Sequence, residues 1–144
     1  MEIRLKAKFL VIVPCLTSVL YADPKWEDTK WNVFINGIHQ VETSGKGIGQ
    51  VGDNGKALGP LQIHKECFQD AVEYNPDLKS HKYEECLVDL KLSAEVCKAY
   101  VQRYLKEGAS LENGARLWNA GPNWKKKLEK TKEYVRKFLK AISE

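Results

Sequence analysis

The sequence predicts a mainly helical domain of the α+β class, a helical bundle with a small loop or hairpin region lining a cleft. Three observations carry that expectation. Apolar residues recur at spacings of three and four in several separate stretches. Five glycines, at positions 45, 47, 49, 52 and 55, crowd one segment. Gly59-Pro60 and Gly121-Pro122 then punctuate the chain where a helix cannot easily continue.

The elements follow in order. Arg4, Lys6 and Lys8 precede an apolar run from Phe9 to Leu20, closed by Tyr21 and Ala22. This reads as a secretory leader, residues 1–22, cut after Ala22. Twelve residues are too few to span a bilayer, which takes about 20, and Pro14 interrupts the run. Cys15 lacks the small residues that a lipoprotein signal would place before it. The domain proper is then 23–144.

Trp31, Phe34, Ile35, Ile38 and Val41 form one apolar face, predicting a first helix from about Glu27 to Thr43. It stops at Ser44, Gly45 and Gly47. Asp53-Asn54-Gly55 is a strong turn signal, so a loop or small hairpin is expected between Gly45 and Gly59. Helical character resumes after Pro60 and runs to about Tyr74, where Asn75-Pro76 breaks it. A longer helix is expected from about Ser93 to Glu107, carrying Val96, Ala99, Tyr100, Arg103 and Tyr104 and ending at Gly108. Ser110 caps a short helix reaching Trp118. After Gly121-Pro122 a last helix opens near Asn123, with Trp124, Leu128, Thr131, Val135, Phe138, Leu139 and Ile142 as its buried stripe.

Charge excludes little by itself. Without residues 1–22 the chain carries 20 Lys and Arg against 18 Asp and Glu, a net +2 that is too balanced to argue for nucleic acid. Eight of the basic residues crowd between Lys125 and Lys140, against Glu129 and Glu133. A solvated helix face is the preferred reading, and attraction to an anionic bacterial wall is the other. Of Cys67, Cys86 and Cys97, an exported chain is expected to oxidise one pair, and the Cys86 to Cys97 separation suits a loop closed against a helix; pairing through Cys67 stays open. No CxxC pair is present and His39, His64 and His81 are scattered, so neither a metal site nor any other cofactor is expected. A Cys67–His64 nucleophile is a weaker reading than buried structural cysteine.

The chemistry centres on Glu42. It ends the first helical pattern, where the helix dipole disfavours negative charge, and a glycine-rich segment follows at once. A carboxyl so placed and partly desolvated has a raised pKa and can protonate a leaving oxygen near neutral pH. Asp53, eleven residues on, is far enough for the chain to fold back and set a second carboxylate across a sugar, as two-carboxylate glycoside cleavage requires.

Three segments carry a family resemblance: VETSG from Val41 to Gly45, GDNGKALGPLQIH from Gly52 to His64, and ENGARLWNAGPN from Glu112 to Asn123. Their order resembles that of lysozyme-like muramidases. The similarity is greatest to invertebrate-type lysozymes and related bacterial domains, whose patterns look like ESG, GxLxxGPxQI and ARIHNGGPN. Goose-type lysozymes and soluble lytic transglycosylases share a looser version with GLMQI and YNAGP elements. The resemblance covers roughly Ile35 to Trp124 and implies a lysozyme-like fold.

It also implies roles. Glu42 is the general acid and Asp53 the second carboxylate, while Ser44, Gln62, His64, Trp118 and Asn119 fall where substrate is held. Physically, Trp118 offers a flat apolar face to a pyranose ring, and Gln62 and Asn119 offer hydrogen bonds to N-acetyl groups. Three departures stand out. The chain is poor in cysteine for an invertebrate-type lysozyme, and Trp118 and Ala120 replace the histidine and first glycine of HNGGP, toward the transglycosylase form. Thr43 interrupts the Glu-Ser-Gly run.

The expectation is a secreted, monomeric muramidase acting on bacterial peptidoglycan or a chitin-like oligosaccharide, with neither nucleic acid nor stable membrane insertion involved. A lytic transglycosylase, a glycan-binding module without catalysis, and a membrane-active protein working through its lysine-rich last helix are the alternatives.

Overall fold

The computed structural model describes residues 23–144, so the expected leader lies outside the described residues. Five helices surround a buried core, and a small antiparallel sheet stands at one side: α1 Asp28–Thr43, β1 Val51–Gly52, β2 Ala57–Leu58, β3 Ile63–His64, α2 Lys65–Tyr74, α3 Leu90–Tyr104, α4 Leu111–Ala120 and α5 Leu128–Ser143. The mainly helical α+β class holds.

Helix α1 buries Trp31, Phe34 and Ile38 on the anticipated face. Trp26 joins them from the segment before it, with ring centroids 4.7 Å from Trp31 and 5.1 Å from Phe34, and its indole N–H donates to the Ala109 carbonyl at 2.8 Å. This aromatic group reaches Phe138 of α5, 5.6 Å from Phe34. Two glycines permit the close packing. A Cβ at Gly37 would stand 2.5 Å from Ile142 and 2.6 Å from Phe138, and one at Gly114 would meet Phe34 and Trp26 at 2.8 Å. Between α4 and α5, Arg116 donates to the hydroxyl of fully buried Thr131 at 2.7 Å and to Glu112 at 2.8 Å. A polar residue thus sits in the apolar stripe of α5 without an unmet hydrogen bond.

Several boundaries differ from expectation. The chain after Pro60 does not turn helical until Lys65, because Gln62 takes a left-handed φ of 52° and Ile63–His64 pairs with β2. The glycine-rich segment therefore yields three short strands in the order β1-β2-β3. The β1–β2 turn runs through Asp53, Asn54 and Gly55, all at positive φ (47°, 53° and 89°), as the Asp-Asn-Gly signal suggests. Helix α3 starts at Leu90 because Asp89 accepts the Leu92 N–H at 2.9 Å, and it ends at Tyr104 rather than Glu107. The Ser110 cap forms as expected, accepting from Asn113 at 3.1 Å.

The last helix begins at Leu128, not near Asn123; Trp124–Lys126 is a single 3-10 turn. Its buried stripe shortens accordingly. Thr131, Val135 and Phe138 are buried, whereas Leu128 and Leu139 are 48% and 42% exposed. Two further 3-10 turns, Pro76–Ser80 and Tyr83–Leu87, connect α2 to α3. Among the described residues no helix is long and apolar enough to cross a membrane.

Candidate active site

A cleft of about 470 Å³ opens between the sheet with α2 on one side and the α4 C-terminus with its following turn on the other. Glu42, Asp53, Gln62, His64, Trp118 and Asn119 all line it. The three sequence segments thus converge on one concavity. Ser44 does not line it. It is the exposed C-cap of α1, at φ 54°, with its N–H bonded to the Gln40 carbonyl at 3.0 Å.

The end of α1 is fixed by Thr43, the residue that interrupts the Glu-Ser-Gly run. Its buried hydroxyl donates to the Pro60 carbonyl at 2.8 Å and lies 2.9 Å from that of Lys46. One side chain therefore ties the helix bearing Glu42 to the segment bearing Gln62. Gly47 packs into the same junction, since a Cβ there would come within 2.8 Å of the Pro60 backbone.

Glu42 is half-buried in the cleft. The hydroxyl of Tyr134, from α5, donates to its Oε1 at 2.6 Å. Burial raises the carboxyl pKa above its ordinary value; the Tyr134 hydroxyl, then the Trp118 indole, then the charge of His64 pull it down by smaller amounts. Desolvation wins because a carboxylate loses more hydration here than two donors return. Tyr134 is pushed well above its ordinary value by burial and by the neighbouring carboxyl, so it stays a neutral donor.

Asp53 differs in kind. It sits at the hairpin tip, largely exposed, with Oδ2 3.5 Å from His64 Nε2. The cleft thus holds one sheltered carboxyl with a raised pKa, Glu42, and one exposed carboxyl, Asp53. Gln62 faces the cleft with its amide N–H donating to the Gly59 carbonyl at 2.9 Å, which fixes the plane of the side chain.

Further residues line the cleft that the sequence did not assign to substrate, although Cys67 entered it as a weaker nucleophile candidate with His64. Glu66, Cys67 and Asp70 project from one face of α2, at spacings of three and four that become meaningful once β3 has set the helix start. Asp70 is held by the Tyr104 hydroxyl at 2.6 Å, and Arg103 bonds its backbone carbonyl at 2.9 Å. Tyr100, Gly121 and Pro122 complete the opposite wall. Tyr134 had no local signal, being 92 positions from Glu42.

Cys67, Cys86 and Cys97 are free thiols, so the anticipated disulfide between Cys86 and Cys97 is not formed. Cys86 and Cys97 are fully buried. Desolvation pushes Cys86 up to about 11 and the other two well above the usual thiol value, so none has the thiolate character of a nucleophile. Among the described residues no group of His, Cys, Asp and Glu side chains is arranged to hold a metal ion.

No family model, curated protein or solved structure matches this chain.

Proposed function

We propose that the protein is an exported glycosidase of lysozyme-like type, cleaving the β-1,4 link between N-acetylmuramic acid and N-acetylglucosamine in bacterial peptidoglycan. The observation that carries this reading is the pairing, within one cleft, of a sheltered Glu42 whose pKa is raised with an exposed Asp53. Glu42 protonates the glycosidic oxygen. With Tyr134 bonded to Oε1, the proton to be given is carried on Oε2. As the C–O bond breaks, positive charge develops at the anomeric carbon and Asp53 faces it, either as anion or as base for water. The carboxylate left on Glu42 keeps the Tyr134 hydrogen bond, which strengthens as the charge forms.

Trp118 supplies an apolar surface for a sugar ring, and Asn119 supplies amide hydrogen-bonding groups at the exposed end of α4. The reading predicts that wild-type protein incubated with purified peptidoglycan releases muropeptides with reducing ends, identified by mass. Glu42→Gln should lose about 10²–10⁴ in rate, the usual range for a general acid. Full activity in that variant would exclude the mechanism. Anhydro-muramyl ends from the wild type would instead make it a lytic transglycosylase, in which the sugar's own hydroxyl closes the ring.

A further inference from the structure

The charge of this chain is segregated. Residues 125–140 carry eight basic side chains against two glutamates, a net +6, while residues 23–124 carry 12 basic against 15 acidic, a net −3. The basic stretch starts three residues beyond Pro122, which lines the cleft, and continues along the solvent side of α5. Only Lys132 and Arg136 are ion-paired there, with Glu129 at 3.4 Å and Glu133 at 2.6 Å. Lys125, Lys126, Lys127, Lys130, Lys137 and Lys140 are exposed and form no ion pair among the described residues, Lys137 acting on Glu133 only through its charge. Cations concentrated this way repel one another, a cost that an anionic partner relieves.

We propose that this strip is a second binding surface, for a flexible polyanion of phosphodiester units such as poly(glycerol phosphate), beginning close in the chain to the cleft-lining Pro122. The composition selects among anions. Seven of the eight cations are lysines, compact point charges suited to isolated phosphates, and the one arginine is occupied by two bonds to Glu133 at 2.6 and 2.8 Å. A lipid surface fits less well. The apolar face of α5 is spent on the core through Thr131, Val135 and Phe138, leaving Leu128 and Leu139 as its exposed large hydrophobics. Base stacking in single-stranded nucleic acid calls for successive aromatic platforms, and within this stretch Trp124 alone adjoins the lysines, with Lys125 Nζ 5.7 Å from its ring centre.

The surface is separate from Glu42, so its test stands apart from the glycosidase reading. Binding of the full chain to immobilised poly(glycerol phosphate) is compared at about 50 and 200 mM salt for wild type, Glu42→Gln, and a Lys126→Gln, Lys130→Gln, Lys137→Gln, Lys140→Gln variant whose fold is verified by circular dichroism. Expected are a several-fold loss of wild-type affinity with salt, unchanged binding by Glu42→Gln, and binding at least tenfold weaker in the fourfold variant. Wild-type affinity in the fourfold variant, or binding indifferent to salt, overturns the proposal. So does tighter binding to anionic phospholipid vesicles or to single-stranded DNA than to poly(glycerol phosphate).

Discussion

The hydroxyl of Tyr134 lies 2.6 Å from Oε1 of Glu42, so α5 supplies the donor for a carboxyl on α1. That bond favours the ionised carboxylate and opposes the upward pull of burial. In Tyr134→Phe the Glu42 pKa therefore rises further. Under the proposed acid role, the alkaline limb of the pH–rate profile, where Glu42 loses its proton, moves to higher pH. Loss of a hydrogen bond to a charged group, about 1.5–3 kcal/mol, corresponds to a rate about 10–100-fold lower. An unshifted alkaline limb in steady-state kinetics contradicts this account.

Glu42 also links stability to pH. Its folded-state pKa lies above the unfolded value, so the folded state holds the extra proton. The stability it contributes is fully present below the unfolded pKa and is lost as pH rises through the folded one. Glu42→Gln, which carries no charge, should therefore be more stable than wild type at neutral pH. The difference should vanish in acid. Urea titrations at acid and neutral pH measure it, and a variant equal to wild type at both removes the argument.

Much of this architecture was readable from periodicity. The α1 face of Trp31, Phe34 and Ile38, the Asp53–Gly55 turn and the Ser110 cap all depend on interactions within a few residues, which a sequence displays directly. What stayed hidden is non-local. Ile63 and His64 look like the first turn of a helix until β2 is known to lie beside them. Leu128 and Leu139 look buried until the turn at Trp124–Lys126 sets the rotation of α5. At the site, six residues of the sequence reading line one cleft, because each lies in a segment with its own turn chemistry. Tyr134 carries no such mark; only the packing of α5 on α1 reveals it.

Gly59 tests the junction behind Gln62. Its φ is 72°, and a Cβ there would lie 1.9 Å from the Cys86 carbonyl oxygen. That neighbour is backbone and cannot swing aside. Gly59→Ala should therefore destabilise the fold by about 2–5 kcal/mol, combining left-handed strain with overpacking. Denaturant unfolding of the variant gives the number directly, and a loss under about 1 kcal/mol would show that the junction yields.

Thiol accessibility gives a fourth expectation. Cys86 and Cys97 are buried with elevated pKa values, and Cys67 faces the cleft with a strongly suppressed thiolate. All three should resist alkylation in the native protein and label fully once it is unfolded without reductant. Peptide mapping by mass distinguishes this from a Cys86–Cys97 disulfide, which would leave both sites unlabelled.

The packing of α5 on α1, where Phe138 and Ile142 lie over Gly37, also has a consequence in time. β1 to β3, α2 and α4 precede α5 in the chain, so a polypeptide leaving the ribosome presents every cleft-lining group before Tyr134. Until α5 docks, Glu42 lacks this hydrogen bond and the burial that sets its proton affinity. In an unfinished chain the carboxyl proposed as the acid is therefore not yet primed, and completion of the fold primes it.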